Sequence, residues 1–193
     1  MRRSCRWMTD EGEGVEHFVL RSKEGGFMAE GVVVGPGFGP MFDGDLYGCS
    51  YTIRCDGRWR VRQVELRVAG GADLLLRADG EGRWSGPQGD PLPALDGCID
   101  VDLTCTPFTN TLPVRRLGEA LRERQEITVA YITLPEATVA PSRQAYTSIS
   151  ALAPGAAGRY RFESLSNPFQ AEIETDADGL VTLYPGLFRR TSG

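Results

Sequence analysis

Residues 46–68 read LYGCSYTIRCDGRWRVRQVELRV. Tyr47, Cys49, Tyr51, Ile53 and Cys55 fall on every second position, the period of a strand that turns one face to a core. Asp56-Gly57 then interrupts the run with a dipeptide that favours a tight hairpin, and residues 58–68 return as its partner strand. Along that return the apolar positions change parity, with Trp59 and Val61 odd but Val64, Leu66 and Val68 even. A slip of one residue turns every side chain to the opposite face, so a bulge near Arg62 is expected.

The same texture extends in both directions. Residues 27–34 form a β-branched run that stops at Pro36, where the ladder loses a donor. Gly70-Gly71 and Asp79-Gly80 mark turns into short strands at 73–78 and 83–84. Residues 95–103 alternate, with Ile99, Val101 and Leu103 on one face and Cys98, Asp100 and Asp102 on the other. Residues 106–116 hold Pro107 and Pro113 and are expected to be irregular, with one helical turn to follow between Leu117 and Gln125. Further strands are read at 126–134, 143–149, 158–164, 169–175 and 180–188. About ten strands with little helix predict an all-β fold over residues 1–193, a single domain in which one curved antiparallel sheet forms a barrel or half-barrel to bury a face and remove its edges.

Composition narrows the function. The net charge of −5 lacks the basic footprint of a nucleic-acid binder. His17 is the sole histidine, which excludes His-rich metal centres and leaves one imidazole for a nucleophilic triad. Ser22 is the nearest serine and lacks a nucleophile-elbow pattern. The five cysteines, Cys5, Cys49, Cys55, Cys98 and Cys105, show no CxxC spacing, so reduced thiols rather than a disulfide framework or zinc site are expected. Arg2 and Arg3 are followed by Asp10, Glu11 and Glu13 instead of an apolar signal core. No run approaches the ~18 apolar residues of a membrane span, and a cytoplasmic location is expected. Gly35 to Gly39 is interrupted by Pro36, which removes an amide that a phosphate cradle would use. No cofactor or metal site is read.

Four segments carry a family resemblance: CDGRWRVR at 55–62, LDGCIDVDL at 95–103, TPFTNTLPVRRL at 106–117 and YPGLF at 184–188. Together they resemble a bacterial family of putative glycolipid-binding proteins, the third segment being the most specific. The resemblance implies a curved antiparallel sheet similar to the half-barrel of the Lol lipoprotein carriers, with a lipid or glycolipid on its concave face.

The leading expectation is a non-enzymatic binder of a lipid or glycolipid-like small molecule, with no nucleic-acid partner. Trp59, Tyr146 and Tyr184 are candidate wall residues and Arg115 a candidate head-group anchor, since a guanidinium holds phosphate or carboxylate bidentately. Asp100 and Asp102, two apart on one strand, stand ~7 Å from each other. That separation is close to a glycosidase carboxylate pair, so a hydrolase of glycosyl or ester bonds is the alternative. A partner-binding module is a third possibility. The bulge near Arg62 suggests a different role for the two carboxylates. If it carries Arg60 or Arg62 inward, an isolated guanidinium there needs a carboxylate, and an ion-pair cluster of Arg60 and Arg62 with Asp100 and Asp102 is expected.

Overall fold

The alternation of residues 46–55 becomes burial, with Tyr47, Cys49, Tyr51, Ile53 and Cys55 all turned inward. They lie in a computed structural model that describes residues 1–36, 46–150 and 155–193. The expected glycine–proline stop partly falls at 37–40, outside the described residues.

The first half of the chain forms β1 (Arg2–Thr9), β2 (Val15–Lys23), β3 (Gly26–Pro36), β4 (Leu46–Asp56), β5 (Val61–Val68), β6 (Asp73–Ala78) and β7 (Trp84–Ser85). The second half forms β8 (Asp100–Leu103), an α-helix α1 (Thr111–Leu117), β9 (Gln125–Thr133), β10 (Thr138–Ser148), β11 (Gly158–Ser164), β12 (Gln170–Thr175), β13 (Val181–Tyr184) and β14 (Phe188–Ser192). All fourteen strands join one sheet in the order β7-β6-β5-β4-β3-β2-β1-β14-β13-β12-β11-β10-β9-β8. Two meanders therefore grow outward from a seam where β1 pairs with β14.

Among the described residues the strands number fourteen rather than about ten, for local reasons. β1 and β2 were unread, and the strand expected at 180–188 divides at the turn through Pro185 and Gly186 into β13 and β14. The sheet is not wholly antiparallel, because β8 runs parallel to β9. Nor is it a closed barrel: β7 and β8 end the strand order without a ladder between them. The curl nevertheless brings the two edges close. The Trp84 indole donates to the Cys98 carbonyl at 2.7 Å, and the Val61 amide reaches the Ile99 carbonyl at 3.4 Å.

The bulge is present. Arg54 pairs with Gln63 and Cys55 with Val61, so Arg62 is the extra residue and both apolar sets of β5 face inward. Residues 106–116 are helical rather than irregular. Thr106 caps a short 3₁₀ turn (Pro107–Asn110) by accepting from the Phe108 amide at 3.1 Å, and α1 follows directly. Pro107 and Pro113 both lie in first turns, where no amide is needed for the helix ladder. The helical turn expected after Leu117 is a 3₁₀ segment, Gly118–Arg122.

This segment enters the curl of the sheet. Phe108, Leu112 and Leu121 are wholly buried, and Phe108 packs on Phe18, which packs on Trp7, with ring centroids 4.7 and 5.0 Å apart. The concave face is thus filled by the chain's own side chains. Among the described residues no helix is long and apolar enough to cross a membrane.

Candidate functional site

Both arginines of the TPFTNTLPVRRL segment leave the last turn of α1, where a cation meets the negative end of the helix. They diverge. Arg116 turns to Asp100 at the start of β8 and forms a fork, Nε to Oδ1 at 3.0 Å and Nη2 to Oδ2 at 2.5 Å. Asp100 is fully buried, and burial pushes its carboxyl up while the Arg116 hydrogen bond and charge pull it down. Asp102 accepts from Gln144 Nε2 at 2.6 Å and from Thr109 Oγ1 at 3.0 Å, with burial again the largest, upward influence on its carboxyl.

The expected cluster of Arg60 and Arg62 with Asp100 and Asp102 does not form. The bulge leaves Arg62 on the outer face, where Nε donates to the Ala78 carbonyl at 3.2 Å and Nη1 lies 3.8 Å from Asp56. Arg60 binds Glu81 and the Gly80 carbonyl. The inward carboxylates are matched from α1 and β10 instead, by side chains that no local pattern connects to β8.

The four expected ligand residues separate into two pairs. Tyr146 is 1% exposed and donates to Asn110 Oδ1 at 2.9 Å, and Tyr184 is 5% exposed. Phe162 packs between them, at 5.3 Å from Tyr146 and 6.1 Å from Tyr184, so this pair fills a core instead of walling an opening. Trp59 and Arg115 do meet: the guanidinium sits 5.3 Å from the indole centroid. Trp59 also stacks on Phe27 at 4.3 Å with 19° between the rings.

Two clefts flank the end of α1, each taking one of its arginines. The larger, about 410 Å³, is lined by Arg116, Ile99, Glu126, Ile127, Thr128 and Arg143 among others. Glu126 and Arg143 are ion-paired at 2.8 Å. The smaller, about 190 Å³, is bordered by Arg115, Glu119, Tyr160 and Asp176 among others. Glu126, Thr128 and Arg143 were not anticipated as site residues, because on alternating strands they look like ordinary solvent-facing positions. What marks them is their position beside Arg116, which the sequence does not reveal.

A family model described as putative glycolipid-binding matches residues 4–190. The chain belongs to the putative glycolipid-binding family. A Pseudomonas aeruginosa protein of the DUF1089 family has 37% identity and a TM-score of 0.75, with 91% of this chain and 92% of that one covered. A Brucella abortus β-barrel-like protein of domain of unknown function DUF1849 shares only 10% identity but gives a TM-score of 0.59 over 100% of this chain and 95% of its own, a likeness of fold alone. No functionally curated protein matches the chain. In this member of the putative glycolipid-binding family, residues 106–117 enter the curl of the sheet and deliver Arg115 and Arg116 to the clefts.

Proposed function

We propose that the protein is a non-enzymatic binder of a lipid or glycolipid-like molecule whose polar head occupies the cleft beside Arg116. The observation that carries this reading is the cleft itself. Its volume of about 410 Å³ is on the scale of a small-molecule site, and its walls combine paired charges, a hydroxyl and two isoleucines. Arg116 is matched by Asp100, while Arg143 and Arg124 share Glu126 and Arg124 also pairs with Glu163, so three cations meet three carboxylates. That balance suits an uncharged polyhydroxyl head better than a phosphate, because guanidinium and carboxylate together offer donors and acceptors without excess charge. Ile99 and Ile127 offer apolar contact to the first methylenes of a tail. The filled interior around Phe108 and Leu112 directs the ligand to this end.

Catalysis by Asp100 and Asp102 finds no support, since Asp100 is forked by Arg116 and Asp102 is held by Gln144 and Thr109. Five buried, unbridged cysteines support the proposal that the protein works in the cytoplasm.

The test is calorimetric titration with n-octyl β-D-glucopyranoside below its micellar concentration, beside mass spectrometry of organic extracts of gently purified protein. Saturable binding that Arg143→Ala weakens about tenfold is the expected result. Absence of both binding and any co-purifying lipid would overturn the reading.

A further inference from the structure

The fork between Arg116 and Asp100 uses one edge of the guanidinium. Nε donates to Oδ1 at 3.0 Å and Nη2 to Oδ2 at 2.5 Å, which is the side-on edge of the group. A guanidinium carries five N–H donors in a rigid plane, so the end-on edge, two parallel N–H bonds from Nη1 and Nη2, is left over. Among the described residues Nη1 has no partner. The Arg116 side chain is 17% exposed and lines the cleft of about 410 Å³, whereas the Asp100 side chain is wholly buried behind it. The remaining edge is therefore what Arg116 offers the cleft. Its position is fixed, because rotating the guanidinium would break both bonds and leave a buried carboxylate unpaired.

The fork also sets the charge. With Asp100 matching it, Arg116 meets a ligand as a pair of donors rather than as a free cation. Acceptors line the same cleft. Glu126 takes Arg124 at Oε1 (2.6 Å) and Arg143 at Oε2 (2.8 Å), and each oxygen keeps a second lone pair. Thr128 adds a hydroxyl. A phosphate or carboxylate fits the Arg116 edge in shape, but it would bring an unmatched negative charge beside Glu126. A polyether accepts hydrogen bonds and donates none. Two hydroxyls on adjacent carbons do both: their oxygens accept side by side from the edge, and their protons go to Glu126 and Thr128.

We infer that Asp100 is a positioning residue that selects vicinal hydroxyls for this cleft, by holding the outer edge of Arg116 towards them and by cancelling the charge that would draw an anion. The inference rests on the reading of the cleft as a head-group site. It narrows that reading from uncharged polar heads to vicinal diols, which a glycosyl head and a glycerol head both supply.

Four probes with one eight-carbon tail test this by calorimetric titration below their micellar concentrations. They are n-octyl β-D-glucopyranoside, 1-O-octylglycerol, 3-octyloxypropan-1-ol (the glycerol ether without its middle hydroxyl) and n-octyl phosphate. The wild type is expected to bind at least one diol tenfold or more tighter than the mono-alcohol, and the phosphate no tighter than the mono-alcohol. The tighter diol tells a glycosyl from a glycerol head. Asp100→Asn, which keeps the shape and an acceptor but not the charge, is expected to lose most of that preference and to gain severalfold in affinity for the phosphate. An Asp100 that served the fold alone would lower the urea midpoint and leave the order of the four probes unchanged, and that result in folded protein overturns the inference. Should Asp100→Asn unfold, Arg116→Lys decides. It keeps a cation opposite Asp100 but has no second edge, and a retained diol preference there overturns the inference. Wild-type binding without a diol preference, or with the phosphate preferred, overturns it too and leaves the head-group site standing. A wild type that binds none of the four loses the inference, and loses the lipid-binding reading as well when its organic extracts hold no lipid.

Discussion

At the scale of single residues, β2 carries an inward carboxyl that neither cleft uses. Glu16 on β2 points inward, 2% exposed, with Oε1 accepting from Tyr51 at 2.5 Å and Thr106 at 3.1 Å, while among the described residues Oε2 has no partner. Burial pushes its pKa from 4.5 up to about 8 against those two hydrogen bonds, so at neutral pH it is largely protonated. The space around it is full: a Cβ on Gly31 would lie 2.3 Å from the Tyr51 ring and 2.6 Å from Glu16 Oε1. A group whose folded pKa is raised binds its proton more tightly in the native state. Its contribution is fully present below pH 4.5 and is lost as pH rises to about 8. Urea unfolding at a series of pH values should show stability falling across that window. Glu16→Gln, which keeps the shape and both hydrogen bonds to Oε1, should flatten the slope and gain on the wild type as pH rises. Parallel pH profiles for the two proteins would refute the assignment.

At the scale of elements, the decisive contact joins β8 to α1. β8 is an edge strand with a parallel neighbour on one side only, and the Asp100–Arg116 fork ties its first residue to the last turn of the helix that fills the curl. Removing one partner of a buried pair leaves an uncompensated charge and costs about 3–5 kcal/mol. Arg116→Ala should therefore lower the urea midpoint sharply. Asp100→Leu with Arg116→Met, which removes both charges, should recover much of the loss, and a double variant no more stable than the single one would contradict this account. The elements differ in how far the sequence announced them. β4 and β5 were legible because Tyr47 to Cys55 alternate without exception, and the parity change from Val61 to Val64 placed the bulge at Arg62. β2 was not, because the buried Glu16 sits where an apolar residue would have continued the alternation of Phe18 and Leu20. β1 hid its inward Cys5 and Trp7 among arginines that resemble a targeting segment. Pro107 and Pro113 suggested irregular chain, although first-turn prolines start helices as readily as they break them. At the site, Trp59 and Arg115 were singled out as a cavity wall and a head-group anchor, and the structure brings them together as a cation on a ring. Glu126, Thr128 and Arg143 were not, since only the pairing of β9 with β10 and the approach of α1 bring them to one cleft.

At the scale of the whole molecule, the order of strands places the most distant parts of the chain side by side. β1 and β14 form the central seam, Trp7 pairing with Arg190 and Thr9 with Phe188. The Trp7 indole also crosses to the Val181 carbonyl at 2.7 Å, a contact spanning 174 residues. Closing so long a loop costs entropy before any contact returns it, and folding slows as contacts become less local. Either meander can form from hairpins, but neither can bury its inner face until the seam aligns them. The seam should accordingly limit the folding rate, and changing the connectivity without changing the sheet exposes this. A circular permutant can join Gly193 to Met1 through a short glycine-serine linker and open new ends between Gly70 and Gly71. These glycines are an exposed turn joining β5 to β6. The permutation makes the seam a local hairpin and the β5–β6 pair a distant one at the sheet's flank. Stopped-flow refolding from urea should be about tenfold faster or more, with the equilibrium midpoint shifted only slightly, because long-range closure governs the rate more than the stability. A permutant of native-like stability that refolds no faster would show that the two halves align after the rate-limiting step, with the meanders themselves as the slow event.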